Sequence, residues 1–124
     1  MDLSNYNLSQ DADDGFEMTI VDPNTGKNTD AVINIIGADS KVYRSIKSKI
    51  YRKAAAKDID ADELSAEVYS ACITGWAGLQ EGGKDIKFTQ DAALELLIKL
   101  PWLMDQIGLA VETRANFMKK PAES

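Results

Sequence analysis

Residues 16–36 read FEMTIVDPNTGKNTDAVINII, in which two apolar segments flank a polar one. Apolar and polar residues alternate over residues 16–20, which predicts a strand with one buried face. The segment DPNTGK at residues 22–27 is dense in turn-forming residues. The β-branched run AVINII at residues 31–36 predicts a second strand, so the stretch is expected to be a β-hairpin. Because a hairpin alone is marginally stable in water, either the helices must cover it or a partner must extend it.

The chain after the hairpin shows helical spacing of its apolar residues in three regions. The first is a basic helix over residues 41–57, for which the segment Ala38-Asp39-Ser40 offers an N-cap. The second is capped by Asp60 or Asp62 and runs in i, i+4 steps to Trp76. The third is leucine-rich, begins at Thr89 and is kinked or restarted at Pro101. The sequence predicts an α+β fold, mostly α-helical, with an N-terminal β-hairpin packed on three to four helices.

Length and composition define the domain organisation. The chain has 124 residues, of which 44% are hydrophobic, and we expect a single globular domain over residues 15–118. Residues 1–14 are acidic with few apolar residues, so we expect a poorly ordered arm with a short helix at most. Residues 119–124 are expected to be a flexible tail. Because the N-terminus is acidic and has no apolar run, we expect no secretion signal, and no apolar run in the chain approaches the ~18–20 residues that span a membrane.

The net charge of −6 is unevenly distributed along the chain. Residues 1–30 contain seven acids and one base, whereas residues 39–57 contain seven bases and one acid. The basic helix 41–57 is not interleaved with exposed aromatic residues, and DNA-binding domains are usually basic overall. We interpret this helix as a solvated face, or as a face paired with the acidic arm, and expect no specific nucleic-acid partner.

Residues suited to catalysis or metal binding are sparse. The chain has no histidine and a single cysteine, so Cys72 has no obvious base to activate it. The acidic run at residues 11–15 departs from a calcium-binding loop because its glycine falls at the fifth position rather than the sixth. No pair of carboxylates has a spacing that suggests acid–base work. We therefore expect no enzymatic activity, no metal site and no cofactor.

The stretch GWAG at residues 75–78 places a bulky side chain between two glycines. We interpret Gly75, Trp76 and Gly78 as a structural corner, in which the indole anchors two helix layers and the glycines permit close packing. The segment 101–118 carries apolar residues on more than one helical face, and exposed apolar surface commonly marks a partner site. The candidate partner-binding residues in this segment are Trp102, Met104, Leu109 and Phe117.

Four short segments occur in a recognisable order, namely IIGADSKVYR at 35–44, GWAGL at 75–79, IKFT at 86–89 and LPWLMDQI at 100–107. Over roughly residues 16–118 this order resembles the tail assembly chaperones of long, non-contractile-tailed bacteriophages and their prophages. The resemblance implies a non-enzymatic protein that binds the tape measure protein in the host cytoplasm. Such a chaperone keeps this client soluble until tail tube subunits polymerise around it, and it is absent from the mature virion.

The same resemblance implies further partners. A frameshifted, longer product would recruit the tail tube protein, and the slip would be expected near Lys119-Lys120. Self-association through the apolar C-terminal segment is also expected. Two alternatives stay open, namely a structural virion protein such as a head–tail joining protein, and a small nucleic-acid-associated regulator that uses the basic helix 41–57.

The regulator alternative leads to the first prediction. Because the chain is acidic overall and its basic face is short, binding to duplex DNA should be weak and without sequence preference. Fluorescence anisotropy with a labelled duplex at ~150 mM salt measures this affinity, since phosphate contacts depend on salt. A submicromolar dissociation constant would contradict the prediction.

Overall fold

A computed structural model of the chain describes residues 1–56 and 59–119. The helices are α1 Leu8–Asp14, α2 Lys41–Ala56, α3 Ala61–Ala71, α4 Gln90–Lys99 and α5 Pro101–Glu112. The strands are β1 Phe16–Val21, β2 Asn28–Ile35, β3 Ile73–Ala77, β4 Gln80–Glu81 and β5 Lys84–Asp85. This mixture of helices and a small antiparallel sheet confirms the predicted α+β class. The predicted helix end at Lys57 and tail residues 120–124 lie outside the described residues.

The N-terminal hairpin has the predicted form. Strands β1 and β2 pair antiparallel, with Phe16 opposite Ile35 and Met18 opposite Ile33. In the connecting turn, the backbone N–H of Asn24 donates to the Asp22 carboxylate at 2.7 Å. The inner face of the hairpin is apolar and buried, so the alternation in the sequence identified the correct face.

The segment Ile73–Ala77 is a strand, and the prediction that the preceding helix continues to Trp76 was wrong. Strand β3 pairs antiparallel with β2, with Trp76 opposite Ile33, and gives the sheet order β1-β2-β3. The backbone N–H and C=O groups along the open edge of β2 need hydrogen-bond partners. Pairing with this edge competes with continuation of α3 beyond Ala71. Because β-branched residues and glycine have low helix propensity, the segment joins the sheet after α3 ends at Ala71.

The predicted corner residues have a different role from the expected one. The half-buried Trp76 ring packs edge-to-face on Phe88, with 5.0 Å between ring centroids, and its Nε1–H donates to the Ile86 carbonyl at 2.7 Å. Gly78 adopts a φ of +81° just beyond the strand, where a Cβ would lie 3.1 Å from the Cα of Ala31. These residues therefore fasten β3 and the loop after it to the sheet, rather than joining two helix layers.

The predicted helix starts are confirmed. Ser40 Oγ accepts from the third residue of α2 at 3.0 Å, and Thr89 Oγ1 accepts from the third residue of α4 at 2.9 Å. The Asp60 carboxylate caps α3, and Pro101 is the first residue of α5, where its missing N–H costs nothing. Of the two effects considered for Pro101, a restart of the helix is the one observed.

The side chain of Gln106 fixes α5 against the edge of the sheet. Its Nε2–H donates to the Val21 carbonyl at 2.8 Å, and its Oε1 accepts from the Val21 N–H at 3.0 Å. Both backbone groups of this edge residue of β1 are thus satisfied by one amide. The contact orients the helix that carries most of the candidate partner-binding residues.

The acidic arm contains the short helix that the prediction allowed, and this helix is docked. Ala12 of α1 is buried, and its carbonyl accepts from the Gly37 N–H at 3.1 Å. The Asp13 carboxylate accepts from the Lys41 N–H at 3.0 Å, and Asp14 forms an ion pair with Lys119. This docking was hard to predict from the sequence, because Ala12 is the one residue that α1 buries.

The close approach at Gly37 leads to the second prediction. A Cβ at Gly37 would lie 2.9 Å from Cδ2 of Phe117, whose ring also packs edge-to-face on Phe16. Gly37→Ala should therefore lower the free energy of unfolding by about 1–3 kcal/mol, as overpacked core substitutions do. Chemical denaturation measures this change.

Gly75→Ala is the matched control, because a Cβ there meets only the Asn34 side chain, at 3.7 Å. This substitution should be neutral or slightly stabilising, since glycine weakens a strand. Equal losses in the two variants would contradict the assigned packing.

Candidate partner-binding surface

A cleft lies between the start of α3 and the corner where α4 meets α5. We call it the acidic groove, and its volume is about 690 Å³. Leu97, Ile98, Pro101 and Met104 supply its apolar lining, and Asp60, Asp62, Glu63 and Asp105 supply its acidic walls. The groove combines apolar surface with a strong excess of negative charge, which suits an amphipathic segment with basic residues.

Exposed apolar side chains extend this surface. Ile98 at the groove is 55% exposed, and Leu109 of α5 is 72% exposed. Leu109 lies one helical turn beyond the groove residue Asp105, so both project from the same side of α5. The candidate surface therefore runs from Ile98 across the helix corner to Leu109.

The four candidates from the sequence fall into three environments. Leu109 is exposed, as a binding residue requires. Trp102 and Met104 are half-buried and pack against the core, although Met104 also lines the groove. Phe117 is only 6% exposed and lies in the core, so its assignment to the binding surface was wrong.

The error at Phe117 has a physical reason. Helix α5 ends at Glu112, and a 3₁₀ turn at Arg114–Asn116 follows. Helical spacing therefore does not extend to residue 117.

Sequence reasoning also missed the acidic walls and Ile98. Ile98 could have been found, because it lies outside the inward stripe of α4 marked by Ala93 and Leu97.

Helix α2 presents a basic surface. Lysine and arginine occupy six of its sixteen positions, aspartate and glutamate none, and all six bases are exposed. The acidic arm contacts its first turns, where Arg44 donates to Ser9 Oγ at 3.3 Å. Among the ion pairs of residues 1–56 and 59–119, none involves a base of α2. The predicted pairing with the arm is thus limited to hydrogen bonds at the start of the helix.

A polar cluster joins three helices beside this basic surface. The Glu112 carboxylate accepts from the hydroxyls of Tyr43 at 2.8 Å and Tyr69 at 3.0 Å. Burial, followed by the nearby Glu112 charge, raises the pKa of the Cys72 thiol to about 12. Because a thiol must ionise to act as a nucleophile, Cys72 is unreactive near neutral pH.

Two further features concern metal binding and membranes. Within the described part of the chain, no three His, Cys, Asp or Glu residues are grouped so that they could hold a metal ion. None of the described helices has both the length and the apolar character needed to cross a bilayer.

The fold and this surface define a small α+β domain with an acidic, partly apolar groove. The model of the YdaY prophage protein family matches residues 36–124, and the chain belongs to that family. No curated protein matches the chain, and no solved structure matches it either. The matched region includes α2 and the whole acidic groove, and it establishes a prophage protein.

The tyrosine cluster leads to the third prediction. Burial and the Glu112 contact raise the pKa of Tyr69 to about 12 from the ordinary value of 10.0, and the same causes raise the pKa of Tyr43. Since the folded state holds these protons more tightly than the unfolded state, stability is complete below pH ~10 and falls as pH rises towards 12.

The double variant Tyr43→Phe, Tyr69→Phe removes both titrating hydroxyls. Its stability should fall less steeply than that of the wild type between pH 10 and 12, after each is referenced to its own value at pH ~8. Urea denaturation across this range measures the difference. The buried Cys72 titrates in both proteins and cancels, so identical slopes would contradict the prediction.

Proposed function

We propose that this prophage protein is a non-enzymatic tail assembly chaperone that binds a helical segment of the tape measure protein. The observation that carries the proposal is the acidic groove with its apolar continuation to Leu109. A helix that places apolar residues at i, i+3, i+4 and i+7 fits such a surface. Membership of a prophage family and the resemblance of the sequence to tail assembly chaperones support the same function.

The proposed client explains why the surface mixes apolar and charged groups. Ile98 and Leu109 offer apolar contacts while they remain exposed on a folded helix pair. The acidic walls select clients whose helices carry basic residues next to their apolar stripe, and they repel acidic ones. Selection by charge lets a chaperone hold one client without aggregating with every exposed apolar segment.

The remaining parts of the proposal concern location and further partners. We propose that the protein acts in the host cytoplasm and is absent from the mature virion, and that a frameshifted longer product recruits the tail tube protein. The head–tail joining alternative predicts instead that the protein is part of the mature virion. Mass spectrometry of purified phage particles separates the two, because a joining protein stays in the particle.

A second candidate function has one observation in its favour. The exposed bases of α2 resemble the electrostatic footprint of a protein that contacts phosphates. The acidic groove on the same small domain argues against a nucleic-acid partner, because it repels the same backbone. The DNA-binding measurement described above decides this candidate.

The client surface leads to the fourth prediction. Leu109→Glu and Ile98→Glu place a charge on apolar surface that is already solvent-exposed, so the fold should persist. Each should reduce copurification of a coexpressed tape measure protein at least about ten-fold, the change expected from the loss of roughly 1.4 kcal/mol of binding free energy. Quantitative pull-down measures the effect, and thermal melting checks the fold.

Leu3→Glu is the matched control, since Leu3 is 73% exposed and lies in the arm, away from the groove. It should capture the client like the wild type. Full capture by both groove-side variants would place the binding site elsewhere, with the hairpin edge at residues 16–36 as the next candidate.

A further inference from the structure

The chain itself carries a segment that matches the acidic groove in charge. The outer side of the second half of α2 presents Lys49 and Arg52 together with the small residues Ser48 and Ala55, all exposed. Tyr51, one turn from both small residues, is also 53% exposed. Opposite the acidic walls and the apolar lining, such a helix brings complementary charge and an aromatic ring.

We infer that the protein forms a two-fold dimer in which the second half of α2 of each copy occupies the acidic groove of the other. The regulatory role of this dimer rests on the proposed function, whereas the dimer itself does not. A client must displace α2 from the groove, so the groove is covered until a client with higher affinity is present.

The connectivity of the chain makes the two-fold arrangement possible. Helix α2 ends at Ala56 and Asp60 lines the groove, so at most about 14 Å of extended chain separates them. The groove and the end of α2 therefore lie at the same end of each copy. In the proposed dimer the two-fold axis passes near this end, so that each helix meets the other copy's groove.

The charges of this end favour pairing between copies. The groove walls carry four acids, and none of the ion pairs of residues 1–56 and 59–119 joins one of them to a base of α2. A two-fold dimer uses the contact twice, which doubles the buried area and the number of opposite charges brought together. Pairing of this kind strengthens as salt decreases.

The experiment uses charge reversal on each side of the contact. The groove variant is Glu63→Lys, Asp105→Lys, one residue from each wall. The helix variant is Lys49→Glu, Arg52→Glu, and both positions precede the last turn of α2, so the end of the helix is unchanged. Asp60 is left intact because its side chain caps α3.

Sedimentation should show the wild type as two copies of 13.6 kDa at low salt, and single copies at 1 M NaCl, where the screening length is about 3 Å. Each variant alone should dimerise at least about ten-fold more weakly. An equimolar mixture should restore the dimer, because in one contact the introduced lysines then face the introduced glutamates, and the other contact joins a wild-type groove to a wild-type helix. Circular dichroism checks the fold of each variant. If the groove variant does not fold, Asp105→Lys alone replaces it, because this position lies within α5.

A wild type that stays monomeric at low salt would overturn the inference. A dimer that survives both reversals, or variants whose mixture does not associate, would overturn it too. The helix variant keeps the groove, so it should still capture the client. For the wild type, capture without a dimer rejects this inference alone, and a dimer without capture rejects the proposed function alone.

Discussion

The backbone pairing of β2 with β3 is the interaction on which the rest of the structure depends. It makes β2 the central strand, and its Ile33 and Ile35 become fully buried. It also ends α3 at Ala71 and directs the chain towards α4, where Gln90 donates to the Ile73 carbonyl at 3.0 Å. Helix α4 then packs on α3, and this packing brings Ile98 next to the start of α3. The acidic groove exists because these two helices lie side by side.

The same pairing shows how far the sequence could predict this fold. Alternation over residues 16–20 and the turn at 22–27 describe local structure, so the hairpin was predictable. The end of α3 was not, because Val68, Cys72 and Trp76 keep helical spacing across it, and a distant strand decides the outcome. The candidate surface was likewise predictable only in part. The exposure of Leu109 follows from spacing within one helix, whereas the groove walls come from two helices that only the tertiary fold brings together.

The family match begins at residue 36, whereas the hydrophobic core also includes residues that precede it. Strand β3 lies inside the matched region, and its partner β2 lies wholly before it. The docked α1 also precedes the match, and its Ala12 bonds to Gly37 just inside it. The matched segment and the preceding hairpin therefore contribute to one core.

The amide of Gln106 has a consequence beyond holding α5 in place. By bonding both backbone groups of Val21, it occupies the position that a residue of a fourth strand would take. Exposed strand edges are templates on which other chains add as strands, and such addition leads to aggregates. One side chain therefore closes this end of β1 to growth of the sheet. A protein proposed to accompany an aggregation-prone client is thereby protected, at this edge, from joining the aggregate itself.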